Sequence, residues 1–231
     1  MYLLELAGTD DAFAAAEAES AAADISVIGG GLATARELTE RVRHLSLTHR
    51  ISELIGTTVP DTASARTLLE TADCDRTGSV AVRARNVRGA TDVSTRAVER
   101  ELGSTLVDRG FDVDLEDPDH ELRAIFAGPE SGTGTETGVC ALGWLAEEVP
   151  RAFTGRAPTD RPFFQPGSMD PALARALVNL AGARPGTTVL DPMCGTGGIL
   201  IEAGLVGAQA VGVDALEKMV RGTRENLNAA L

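Results

Sequence analysis

The sequence predicts an α/β protein whose carboxyl-terminal part is a piece of a parallel, Rossmann-like sheet. Three observations support this prediction. Residues 169–231 follow the order helix, strand, helix, strand, helix. A glycine-rich turn directly follows the first of these strands. Further upstream, runs of alternating apolar residues are separated by helical patterns, which is typical of mixed α+β modules.

Residues 1–60 predict a small α/β module. Strands are expected at 2–6 and 25–28, with an alanine-rich helix at 10–22 between them. A second helix is predicted from the helical spacing, three or four positions, of apolar side chains: Leu32, Ala35, Leu38, Val42 and Leu45. Its apolar face is continued by Ile51, Leu54 and Ile55, and Pro60 marks the boundary.

Residues 61–150 predict a second module, opened by a helical connection at 61–76. Residues 80–85 alternate as a strand, and Ser94 is placed to cap a helix that Gly110 ends. Further strands are expected at 111–115, 122–127 and 139–145, with a loop at 128–138. Residues 151–168 then form an Arg/Pro-rich linker.

Residues 169–231 contain the strongest motif, which runs from Val189 to Gly198. The expected strand at 187–191 enters the turn Asp191-Pro-Met-Cys-Gly-Thr-Gly-Gly, which opens a helix. Glycines let a ligand approach the backbone, and a helix amino terminus offers free N–H groups. Asp214 ends the next strand, 210–214, where a carboxylate suits ribose hydroxyls. A glycine turn without a ligand is the alternative.

These phrases resemble the archaeal tRNA guanine-10 N2-methyltransferase family. The turn at 191–197 resembles motif I of class I S-adenosylmethionine-dependent methyltransferases, and residues 163–171 resemble motif X, which covers the cofactor. The resemblance implies that S-adenosylmethionine is bound by Ser168, Met169, Asp191, Pro192, Cys194, Gly195, Thr196, Gly197 and Asp214. It further implies that residues 61–150 are a tRNA-binding THUMP domain and residues 1–60 the ferredoxin-like module before it.

The expected tRNA surface consists of arginines, because guanidinium groups fit phosphates with two parallel hydrogen bonds. The candidates are Arg83, Arg85, Arg88 and Arg96. A solvated strand face is an equally weighted interpretation of each one.

One departure from the family is that the sequence contains no Pro-Pro pair, whereas the family's catalytic motif is Asp/Asn-Pro-Pro-Tyr. We therefore expect a fragment that is inactive alone, and no catalytic residue is assigned. A related THUMP methyltransferase for another tRNA guanine, or a non-catalytic tRNA-binding fragment, are the alternatives. A Rossmann dehydrogenase is disfavoured by the Asp191-Pro-Met-Cys phrase.

Composition and charge predict the salt environment and the cellular compartment in which the protein works. The 231 residues carry a net charge of -13, and Lys218 is the single lysine. A carboxylate-rich surface stays hydrated in brine, so the excess of acidic residues and the near absence of lysine predict a halophile. An ordinary acidic protein is the alternative. The 3 cysteines lack metal or disulfide spacing and the apolar runs are short, which predicts a cytoplasmic protein without membrane or metal. No feature indicates an oligomeric state.

Overall fold

The predicted α/β class is confirmed in the computed structural model, which describes residues 1–130 and 137–231. Residues 131–136, the middle of the predicted loop 128–138, lie outside the described residues. The chain divides into two units. The first unit comprises Met1–Ala15, Ala22–Leu38 and Thr48–Glu148, and the second comprises Ala16–Ala21, Thr39–Leu47 and Val149–Leu231.

The helices and strands are named in chain order. The elements up to residue 58 are β1 (Tyr2–Leu6), α1 (Asp11–Ala18), β2 (Ala22–Ala23), β3 (Ser26–Gly29), β4 (Leu32–Ala35), β5 (Glu37–Leu38) and β6 (Thr48–Thr58). The elements up to residue 148 are α2 (Thr62–Thr71), β7 (Ser79–Asn86), α3 (Thr95–Asp108), β8 (Asp112–Val113), β9 (His120–Ala127) and β10 (Val139–Glu148). The last elements are α4 (Pro171–Leu180), β11 (Thr188–Asp191), α5 (Gly198–Leu205), β12 (Gln209–Gly212) and α6 (Glu217–Ala230).

The first unit is built on an eight-stranded mixed sheet with the order β3-β4-β1-β6-β10-β9-β7-β8. β7 runs parallel to both β8 and β9, and the other neighbours are antiparallel. The predicted modules 1–60 and 61–150 share this sheet, because β6 pairs with β1 on one edge and with β10 on the other. Their assignment to a ferredoxin-like module and a THUMP domain stays a prediction.

The predicted alternation of β7 is confirmed by its packing. Val80, Val82 and Ala84 face a core that includes Leu102 and Leu106 of α3. The side chain of Ser94 accepts a hydrogen bond from the Ala97 N–H and caps α3, as predicted. Each fully buried Leu or Val contributes about 1.5–3 kcal/mol relative to an exposed one, so this interface stabilises the unit substantially.

The predicted helix beginning at Leu32 is wrong. Residues 32–38 form β4 and β5, and only Glu40–His44 make a short 3₁₀ turn. Gly31 adopts a left-handed φ of 76°, which lets the chain reverse from β3 into β4 beside β1. Both faces of β4 are buried, so its apolar residues lack the alternation that marks a half-exposed strand. The continuation through Ile51, Leu54 and Ile55 is likewise part of strand β6.

The second unit contains β11 and β12, which pair in parallel as the sequence predicts. One face of this pair packs against α4 and α5 through Val178, Ala203 and Val206. The side chains of Leu190 and Val211, on strands β11 and β12, are 62% and 47% exposed. Among the described residues, no helix is sufficiently long and apolar to cross a bilayer.

Helix α6 buries Gly222, Thr223 and Asn226, whereas Leu216, which precedes its first residue, is 59% exposed. A Cβ atom on Gly222 would overlap the ring of Phe163. The 151–168 segment is therefore packed onto α6 in a way that depends on glycine.

Candidate functional site

The glycine turn lies at the carboxyl ends of the two parallel strands of the second unit. The Val213 N–H donates to the Asp191 carbonyl at 2.9 Å, and the Cys194 N–H donates to the Val213 carbonyl at 3.0 Å. These bonds continue the ladder past the ends of β11 and β12 and fix the turn on the sheet edge. Ligands of open parallel sheets bind at this edge.

Two glycines of the turn use backbone conformations that other residues avoid. Gly195 has a φ of 52°, and a Cβ atom there would meet nothing closer than the Met193 carbonyl oxygen at 4.0 Å. Gly197 has a φ of 80°, and a Cβ there would lie 2.8 Å from the Thr223 side chain. Gly197 is thus required by packing, whereas the space beside Gly195 is open to a ligand.

Asp214 organises the turn through backbone hydrogen bonds. Its Oδ2 accepts from the Gly195 N–H at 2.9 Å, and its Oδ1 accepts from the Leu216 N–H at 2.9 Å. A carboxylate offers about four acceptor positions, so these bonds leave capacity for ribose hydroxyls. The ribose role of Asp214 stays a prediction.

The remaining predicted residues of the turn differ in exposure. Asp191 accepts a hydrogen bond from the Met193 N–H at 3.0 Å, and Pro192 is exposed. Cys194 is 6% exposed. Burial raises the pKa of its thiol, a hydrogen bond with Thr223 lowers that pKa, and the carboxylates of Asp191 and Asp214 raise it further. The net shift is upward, so Cys194 is a protonated packing residue at neutral pH and no nucleophile.

The 163–171 segment reaches the turn through a pair of hydroxyl groups. Ser168 Oγ lies 3.0 Å from Thr196 Oγ1 and donates to the Gln165 carbonyl at 2.7 Å. Met169 lies beside Gly198, where its Cβ would be 3.8 Å from a Cβ on that glycine. Asp170 then caps α4 by accepting from the Ala172 and Leu173 N–H groups. The structure therefore brings the two predicted cofactor segments together.

Two residues of α6 that hold the turn were missed as site residues. Thr223 Oγ1 donates to the Gly195 carbonyl at 2.7 Å. Asn226, which is 1% exposed, donates to the carbonyls of Thr196 at 2.9 Å and Phe163 at 2.8 Å, and accepts from the Phe163 N–H at 2.8 Å. The available signal was a polar side chain four positions after Gly222 on the helix face that the glycine marks as close-packed.

The four arginines predicted to bind RNA belong to the first unit, where three have partners within the protein. Arg83 donates to the Leu115 carbonyl at 2.6 Å, and Arg85 donates to buried Glu5 at 3.0 Å. Arg88 makes two hydrogen bonds to Asp11, at 2.9 and 2.6 Å. Arg96 is exposed in the first turn of α3. The side chains of Arg83, Arg85 and Arg88 are 38–39% exposed, so part of each remains accessible.

A family of methyltransferase domains matches the carboxyl-terminal part of the second unit. Residues 158–231 match the RMKL-like methyltransferase domain. This range contains every residue predicted to bind the cofactor, and the resemblance drawn from motifs I and X is thereby confirmed.

Named relatives extend the match into the first unit. The chain is 42% identical over 187 residues to a tRNA (guanine(10)-N2)-dimethyltransferase of Methanothermobacter thermautotrophicus, covering 80% of this chain and 52% of that protein. It is 35% identical over 127 residues to a tRNA (guanine(6)-N2)-methyltransferase of Thermus thermophilus, covering 54% of this chain and 33% of that protein. The crystal structure of TrmN from Thermus thermophilus superposes with a TM-score of 0.56 at 26% identity, covering 99% of this chain and 69% of that one. The chain thus spans about half the length of the archaeal relative.

Proposed function

We propose that the chain belongs with the archaeal tRNA guanine-N2 methyltransferases and is the tRNA-binding and donor-binding part of such an enzyme. The whole protein would transfer methyl groups from S-adenosylmethionine to the exocyclic N2 of guanine 10 in tRNA. The observation that carries the proposal is the glycine turn held open at the ends of two parallel strands.

The residues present fit S-adenosylmethionine. The open position beside Gly195 is a cradle that a Cβ atom would fill, and the hydroxyls of Ser168 and Thr196 face each other across the same turn. When bound, the cofactor supplies a methyl group already activated on a sulfonium. Asp214 would hold the ribose, and Gly195 and Gly197 would admit the ligand to the backbone. Pro192 and Met169 would border it.

The work of the protein is then alignment. Amine nitrogen, methyl carbon and sulfur must lie in line, and holding reactants in such a geometry lowers the barrier by removing an entropic cost. The target base must also leave its stack to reach the site. The sequence has no Pro-Pro pair, so no residue of this chain is proposed to receive the protons of the amine.

The first unit is proposed to bind tRNA as a THUMP-containing module. The accessible parts of Arg83, Arg85 and Arg88, together with Arg96, support a phosphate-binding role. A cytoplasmic, salt-rich setting follows the same proposal, because tRNA is an intracellular substrate and the net charge is -13.

The cofactor part is tested by calorimetric titration of S-adenosylmethionine into wild type, Gly195→Ala and Gly186→Ala. Both glycines have positive φ, 52° and 86°, and open space around a Cβ, so each variant places alanine in the left-handed region without a steric clash. Gly186, however, precedes β11 and lies at the other end of that strand. We expect Gly195→Ala to lose affinity by at least about tenfold and Gly186→Ala to keep it. Equal affinities in all three proteins would contradict the proposed site.

The acceptor part is tested with the whole protein and tRNA in which guanine 10 is replaced by inosine, which lacks the N2 amine. Methyl incorporation from tritiated donor should disappear with inosine at position 10 and persist with inosine at position 6. The opposite result would favour the guanine-6 activity named for the Thermus relative. Incorporation unaffected by either replacement would exclude both guanines. The 231-residue chain alone should transfer no methyl group.

A further inference from the structure

Arg161 stands out because the ends of its guanidinium group make no hydrogen bond to any described residue. Its two terminal guanidinium nitrogens, Nη1 and Nη2, are buried and have no hydrogen-bond acceptor within the described residues. Burial lowers the pKa of Arg161, although the nearby carboxylate of Glu202 opposes this. Burying a cation without a hydrogen-bond acceptor is energetically unfavourable. An anionic ligand that accepted hydrogen bonds from Arg161 would remove this cost.

The carboxylate that interacts electrostatically with Arg161, that of Glu202, already accepts hydrogen bonds from other arginines. Glu202, which is fully buried, accepts hydrogen bonds from Arg156 at 3.0 and 3.1 Å and pairs with Arg175 at 2.7 Å. Nε of Arg175 also lacks an acceptor among the described residues. Three guanidinium groups therefore lie near the Glu202 carboxylate, and Glu17 adds a second carboxylate near Arg175, so the cluster keeps a net positive charge.

The Arg161 guanidinium lies next to the candidate cofactor turn. A Cβ atom on Gly198, the first residue of α5, would lie 3.5 Å from Arg161 Nη1 and 3.8 Å from Met169 Cβ. The first turn of a helix carries partial positive charge from its free N–H groups, so an anion here would meet two favourable fields. Arg161 also borders a cavity of about 280 Å³, which gives its flexible side chain room to adjust.

We propose that Arg161 binds the carboxylate of the amino-acid part of S-adenosylmethionine. The inference rests on the proposed function, and it adds a ligand contact that the glycine motif does not supply. A carboxylate matches the two free nitrogens of one guanidinium in a bidentate pair. The position between Met169 and α5 favours the donor over RNA phosphate, because both of these flank the glycine turn.

The test compares two ligands on the same protein. Calorimetry measures the affinity of S-adenosylmethionine and of its decarboxylated form, which keeps the sulfonium, the amine and the adenosine. Wild type should prefer the carboxylated ligand by about 10- to 100-fold, the range expected for a charge-assisted pair. Arg161→Ala should abolish this preference and leave the affinity for the decarboxylated ligand unchanged. Arg161→Lys keeps the positive charge but loses the two parallel N–H donors of the guanidinium, so it should retain part of the preference for the carboxylated ligand.

Arg221→Ala is the matched control, since that side chain is 67% exposed on α6. If Arg161→Ala does not fold, the Arg161→Lys variant and the wild-type ligand preference still decide the question. A wild type that binds neither ligand would refute the proposed cofactor site itself. A wild type that binds both equally, or an Arg161→Ala protein that weakens for both equally, would refute the carboxylate contact alone. Loss of tRNA affinity with unchanged ligand preference would assign Arg161 to a phosphate and also overturn the proposal.

Discussion

Replacing Asn226 by alanine should loosen the candidate cofactor turn, because this one side chain makes three hydrogen bonds. Two of them join Phe163 in the connecting segment, and the third holds the Thr196 carbonyl in the turn. Asn226 is 1% exposed, so water cannot replace its amide without a rearrangement. The substitution therefore leaves buried polar backbone groups unpaired.

The expected magnitude follows from those bonds. A net contribution of about 0.5–1.5 kcal/mol for each hydrogen bond gives a loss of roughly 1.5–4.5 kcal/mol in the free energy of unfolding. Urea unfolding, followed by circular dichroism, measures this as a lower midpoint with an unchanged slope. Asn228→Ala is the control, because it is the same change on an exposed position of the same helix.

The aspartate variant sharpens the test. Asn226→Asp keeps the acceptor for the Phe163 N–H but turns two donors into a carboxylate facing the carbonyls of Phe163 and Thr196. Asn226→Asp should therefore lower the free energy of unfolding at least as much as Asn226→Ala does, although aspartate is closer in shape to asparagine. An Asn226→Ala midpoint equal to that of Asn228→Ala would show that these bonds do not hold the turn.

Four further predictions concern other parts of the chain. Gly222→Ala should cost about 1–3 kcal/mol in urea unfolding, because its Cβ overlaps the Phe163 ring; wild-type stability would contradict this packing. Burial raises the pKa of Cys140 to about 12. The thiol therefore contributes stability below its unfolded pKa of about 8.5 that is lost at about 1.4 kcal/mol per pH unit above it, and Cys140→Val should remove this slope in denaturant titrations. The melting temperature should rise with KCl, since salt screens a net charge of -13; a flat curve would argue against the halophile. Replacing Arg83 and Arg85 together by alanine should weaken tRNA binding. It should also reduce the slope of log affinity against log salt concentration by about 0.7–0.9 per lost phosphate contact, measured by salt titration against wild type. Coinciding slopes and affinities would mark those arginines as a solvated face.

The sequence predicted best where local chemistry dominates. The glycine turn, its two flanking strands and Asp214 could be located because left-handed φ angles and a strand-end carboxylate leave clear residue signatures. The cap at Ser94 and the core face of β7 were predictable for the same reason, since each depends on neighbours within one element or on period-two alternation.

Contacts between distant segments were not predictable in this way. Leu32 and Ala35 have helical spacing, yet they form a strand because β1 offers them a partner edge. The partnership of Asn226 with Thr196 spans 30 positions, and that of Arg156 with Glu202 spans 46. No periodicity connects residues so far apart, so these contacts emerge only from the packed fold.

Arginine serves in this chain as the counter-ion of buried carboxylates, and this changes how its RNA-binding role should be tested. Glu5 is paired with both Arg85 and Arg123, so Arg85→Ala still leaves it a bidentate partner at 2.9 and 3.0 Å. Asp11 keeps only the Gly31 N–H if Arg88 is removed, among the hydrogen bonds seen in the described residues. Removing Arg88 takes the cation away from the buried carboxylate of Asp11, so a loss of tRNA affinity in Arg88→Ala would not distinguish a lost RNA contact from a destabilised fold. Arg85 is therefore the informative position, since its removal changes the exposed charge while the buried carboxylate stays neutralised.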